Sequence, residues 1–63
     1  MDRLDFLLAL SDFNLDDLTI EAVDDALFEP EMRPPMLKWL KESGERDGDL
    51  IWAKAIEIMN EMD

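Results

Sequence analysis

Sixty-three residues, 17 of them acidic and six basic, with no histidine or cysteine, give a formal charge of −11. A chain of this length makes one domain at most and hides only about 60% of the surface its unfolded form exposes, so its stability is thin. The composition excludes disulfides and ordinary zinc, haem or iron–sulfur sites, and the charge excludes direct binding to DNA, RNA or anionic lipid, all of which would repel it.

The hydrophobic spacing is helical throughout and no strand alternation competes with it. The expected fold is all-α, a compact bundle of three to four short helices in a single domain over 1–63, with helices near 2–11, 15–28, 36–43 and 48–62. In the first helix Leu4, Leu7 and Leu8 cover one side and Phe6 and Leu10 another, so it is apolar on nearly every face and suits a central position or an interface. The run Phe6 to Leu10 is too short to cross a bilayer, and Asp2 and Asp5 flank it where a secretory signal carries positive charge. No targeting segment is expected, and cytoplasmic residence is the simplest expectation for a chain without cysteine.

For the second helix Asn14 is a candidate N-cap, with Asp16 and Asp17 in the first turn. Thr19 is a rival cap, which would leave Leu15 to Leu18 as a separate turn. Ala22, Val23, Ala26 and Leu27 form its inward stripe, and Pro30 drives Glu29 out of helical geometry. Glu29 to Pro35 holds three prolines and reads as an extended, stiff connector within the domain. Pro35 then opens a third helix, Met36 to Ser43, with Met36, Leu37 and Leu40 on its apolar side and Gly44 closing it in the left-handed region. Asp47 or Asp49 caps the last helix, in which Ile51, Trp52, Ala55, Ile56, Ile58, Met59 and Met62 span roughly 160° of the wheel. This helix is expected to anchor the core, with Trp52 inside it.

Charge is distributed unevenly. Ten of the first 32 residues are acidic and only Arg3 is basic, whereas the remainder sets five basic residues against seven acidic ones. Asp17, Glu21, Asp24 and Asp25 share an arc of roughly 100° opposite the apolar stripe, a ridge of like charges that costs a few tenths of a kcal/mol per pair and has no evident structural gain. Neighbouring carboxylates about 5 to 6 Å apart resemble a row of phosphates, and Asp12, Asp16, Glu29 and Glu31 extend the row. The plain alternative is a solvated face that keeps an apolar little protein soluble. Solubility would be served as well by mixed signs, however, and helix two contains no basic residue.

Catalysis is not expected. No histidine, cysteine or tyrosine is present for acid–base or nucleophilic work, Ser11 and Ser43 have no activating base, and so short a chain can hardly enclose a sugar between two carboxylates. Aligning Gly48 with the turn glycine of an EF-hand loop puts Ser43 at the first ligand position and Lys54 where the bidentate glutamate belongs, so no specific calcium site, and no cofactor, is expected.

The pattern points to a small acidic inhibitor that docks on a basic, nucleic-acid-binding surface of a protein partner and blocks it, with no membrane or nucleic acid bound directly. Its contacts would be Asp16, Asp17, Glu21, Asp24, Asp25 and Glu29, with Trp39 as anchor. Phage-encoded antagonists of host defence or transcription, immunity proteins and antitoxins share this size and acidity, a likeness of composition alone. The alternative is a structural or regulatory subunit that homodimerises, or joins a larger assembly, through its apolar helices.

Overall fold

A computed structural model describes residues 1–62. Four helices, α1 (Arg3–Ser11), α2 (Asp17–Ala26), α3 (Arg33–Ser43) and α4 (Gly48–Met62), are joined by short turns, with one 3₁₀ turn (Pro30–Met32) leading directly into α3. No strand occurs among the described residues, and none of these helices is long and apolar enough to cross a membrane.

Part of the acidic excess has a local structural use, because aspartates begin three of the four helices. The Asp2 side chain accepts a hydrogen bond from the Asp5 N–H at 2.8 Å, Asp16 from Thr19 at 2.7 Å and Asp47 from Asp49 at 2.9 Å. Each satisfies an amide the first turn would leave without a partner and places negative charge at the positive end of the helix dipole.

Asp16, therefore, and neither Asn14 nor Thr19, caps α2. Asn14 instead takes φ 59 and turns the chain out of α1, since asparagine tolerates the left-handed region better than most residues. The helix is also shorter than its spacing suggests, because Leu27 leaves helical geometry at φ −99, ψ 67.

The stretch from Glu29 to Pro35 is not an extended connector. Glu29 is extended at φ −99, ψ 141, as the following proline requires, but Pro30 to Met32 coil into the 3₁₀ turn and α3 begins at Arg33. Pro34 and Pro35 occupy its first turn, where amide donors have no intrahelical partner and their loss costs nothing. Gly44 closes α3 at φ 69, and its N–H donates to the Leu40 carbonyl at 3.1 Å.

Each helix contributes to one core. Phe6 and Leu10 come from α1, Val23 and Ala26 from α2, Met36 and Leu40 from α3, and Ile51, Ala55 and Ile58 from α4, with Leu27 and Met32 filling the corner between α2 and α3. Complete burial of one such large side chain stabilises by about 1.5–3 kcal/mol before conformational entropy is counted. α4 packs against both α2 and α3, and α1 covers the opposite side of α2 and reaches α3.

The wheel overstated what so small a core can cover. Trp52 is 48% exposed and Met62 is also exposed, while Met59 and Ile56 are only partly buried. On α1, Leu7 is partly buried and Leu4 and Leu8 are 67% and 60% exposed, so this helix is covered on one side only.

One buried cation ties the segments together. Arg33 donates from Nε to the Leu27 carbonyl at 3.2 Å, from Nη1 to the Met1 carbonyl at 3.1 Å and from Nη2 to the Phe28 carbonyl at 3.3 Å, with Cζ 6.0 Å from the Phe6 ring centroid. The planar fork reaches three carbonyls at once, two of them at the negative end of α2. An ammonium cannot reproduce that spread, so Arg33→Lys should lower the unfolding free energy by about 2 kcal/mol although charge is conserved. Urea denaturation followed by circular dichroism measures it, and an unchanged midpoint would contradict this role.

Candidate functional site: the acidic face of α2 and the adjoining depression

The inward face of α2 centres on Val23 and Leu27, so its outward face carries Asp17, Glu21, Asp25 and Leu18. Asp17, Glu21 and Asp25 are exposed, and among the described residues none lies within ion-pair distance of a basic group. They form an edge about 12 Å long, at about 1.5 Å of rise per residue.

Asp24 does not belong to this edge. Its side chain is 6% exposed, and Oδ2 accepts a hydrogen bond from Arg3 Nε at 2.9 Å, across 21 positions in sequence. The sequence pattern put Asp24 on the ridge because it falls at the margin of the acidic arc. That margin is where α1 packs against α2, and the only basic residue of the first half is spent there.

Asp16 sits at the N-terminal end of the edge, fully exposed, with its oxygen committed to the cap. The Thr19 side chain and then the Thr19 backbone N–H hold its carboxyl below the usual carboxylate range. Glu29 lies beyond the other end of α2, exposed at the entry to the 3₁₀ turn, with no side-chain capping bond. Asp12 and Glu31 are exposed on the turns after α1 and α2.

The two tryptophans exchange the roles their positions suggest. Trp39 is packed against the core, with Lys54 Nζ 6.0 Å from its ring centroid, and it lines a depression with Pro35, Lys38, Glu42, Ile58 and Glu61. Trp52 lies about 160° around α4 from Lys54, so it faces the other flank, towards α2. Trp39 is thus on the α3 side of α4 and does not join the acidic edge, whereas Trp52 does.

Trp52 borders a shallow depression of about 340 Å³ between the first turns of α2 and α4, lined also by Asp16, Leu18, Thr19, Ala22, Asp47, Gly48 and Asp49. Leu18 is 79% exposed at its rim. The helices approach closely here, since a Cβ on residue 48 would stand 2.7 Å from Thr19 Oγ1. Any larger residue there would push the Thr19 hydroxyl aside. No basic side chain lines the depression. The nearby Arg46 turns away, with its guanidinium 5.3 Å from the Phe13 ring centroid. Among the described residues no three carboxylates are grouped closely enough to hold a metal ion.

Compared with known protein families, curated proteins and solved structures, the chain matches none.

The lowered Asp16 titration has a defined consequence for pH. A carboxylate held below its unfolded value stabilises the fold above that value, and the contribution disappears as pH falls through the folded one. Asp16→Asn keeps a capping oxygen but cannot titrate. The stability difference between wild type and this variant should therefore shrink as pH is lowered below about 4, and a constant difference in urea midpoints across that range would contradict the assignment.

Proposed function

We propose that this chain is a non-catalytic protein-binding inhibitor whose acidic α2 face docks on a basic, nucleic-acid-binding surface of another protein and blocks it. The observation that carries the reading is the exposed edge of Asp17, Glu21 and Asp25, left without basic partners among the described residues beside the uncovered apolar side chains Leu18 and Trp52. Like charges gathered on one helix cost stability, and a basic partner converts that cost into binding free energy. Long-range attraction would accelerate encounter at low ionic strength, and occlusion of the basic surface would exclude its nucleic acid. Antagonists encoded by phages, immunity proteins and antitoxins share this small size and acidity, and the cytoplasm is the compartment this reading implies.

The test is capture of the partner from an extract of the native host. Replacing the three outward acids together, as Asp17→Asn, Glu21→Gln and Asp25→Asn, should leave helicity intact and abolish capture, and raised salt should release wild-type complexes. An unchanged set of captured proteins would remove the proposal. Asp24 is omitted from the set because its carboxylate serves Arg3.

A second reading is favoured by a separate observation. Met1, Leu4 and Leu8 leave an apolar strip along the outer side of α1, suited to self-association or to a larger assembly. Here sedimentation at micromolar concentration should report a dimer that Leu4→Ser with Leu8→Ser dissociates. A monomer at those concentrations would rule the dimer out.

A further inference from the structure

We infer that the depression between the first turns of α2 and α4 receives a single apolar side chain presented by a lysine- or arginine-rich helix of the partner protein. This rests on the proposal that the chain binds a basic protein surface, and it names the contact that fixes the register of binding.

Exposed carboxylates attract a basic surface but do not orient it, because each solvent-exposed ion pair is weak and screened. Orientation and slow dissociation come from a dry apolar centre enclosed by a polar rim. The depression is shallow and lined by more polar than apolar surface, Thr19 included, and its apolar part is the strip presented by Leu18, Ala22 and Trp52, with Asp16, Asp47 and Asp49 supplying the charge around it. The Thr19 side chain closes against Gly48, which has no Cβ to keep it away.

The charge selects the occupant. Asp16, Asp47 and Asp49 line the depression with no opposing cation, and the acidic edge continues from it along α2, with Asp25 and Glu21 about 20° and 60° around the wheel from Leu18. A helix laid along α2 with one apolar residue in the depression would set its next turns of basic residues against Glu21 and Asp25, the helix-in-groove mode of recognition. Nucleic acid and acidic peptides are repelled, and a second copy of this chain carries the same charge of −11.

Trp39→Phe leaves Trp52 as the sole tryptophan, so its emission reports on the depression. The probes are a lysine-rich, alanine-based helical peptide bearing one central leucine and its twin with serine at that position. The leucine peptide should shift Trp52 emission to the blue, saturate, and bind at least about tenfold more tightly than the serine twin. Leu18→Ser and, independently, the neutral plug Ala22→Gln should erase that preference while circular dichroism stays unchanged. Neutralising Asp17, Glu21 and Asp25 should weaken both peptides alike. Equal binding of the two peptides would overturn the inference and leave the acidic-face proposal standing. Failure of both peptides to bind at low salt would overturn both. A dimer in sedimentation that Leu18→Ser disrupts would give the depression to a second copy and likewise overturn the inference.

Discussion

The Arg33 guanidinium holds three backbone carbonyls, two from the adjacent residues Leu27 and Phe28 and one from Met1 at the start of the chain, and the placement of α2 depends on that grip. Taking a cation out of water costs several kcal/mol unless its donors are satisfied. Here charge-assisted hydrogen bonds, the negative end of α2 and a strongly acidic chain all act in its favour. The bonds to Leu27 and Phe28 fix where α2 stops and how the chain reverses into α3, while the bond to Met1 brings the start of the chain alongside. Arg3 is then close enough to neutralise Asp24. With no disulfide among its residues, this small domain uses one arginine as its internal link.

That arrangement leaves α2 with three distinct strips. Val23, Ala26 and Leu27 are buried, Asp24 at one margin is paired, and Asp17, Glu21 and Asp25 face outward with no basic group within ion-pair distance among the described residues, although Asp25 shares a depression with Arg3 and Arg33. Of the other cations, Arg46 lies over Phe13, Lys54 beside Trp39 and Glu57, and Lys38 near Glu42, while Lys41 is exposed on α3. The segregation of charge is therefore a property of the folded surface as well as of the sequence. Its reach in solution is set by screening, about 8 Å at physiological ionic strength, so contact with a partner must be close, and the proposed apolar centre at Leu18 and Trp52 supplies what charge alone does not.

Much of the architecture was legible in the residues. The helical period of 51–62, the left-handed glycine after α3 and the break before Pro30 follow from local chemistry that tertiary packing does not override. The stretch from Glu29 to Pro35 is ambiguous in sequence because prolines signal both extended chain and the first turn of a helix, and the burial of Arg33 decides between them. Asp24 and Arg3 were not legible as a pair, being 21 positions apart on different helices. Trp52 was assigned to the core because an apolar arc of roughly 160° looks uniformly inward, yet a core of this size covers only part of it. Arg33 itself was not legible, since a lone arginine gives no local sign that carbonyls await it.

The central claim is that the outward face of α2 with the flank of α4 beside it, and no other surface, meets the partner. Cross-saturation NMR of the isotopically labelled chain in complex with its captured partner tests it directly. Signal loss should concentrate on the methyls of Leu18 and Ala22, the Trp52 indole and the amides from Asp17 to Asp25. Loss confined to Leu4 and Leu8 on α1, with Leu18 and Trp52 untouched, would contradict it.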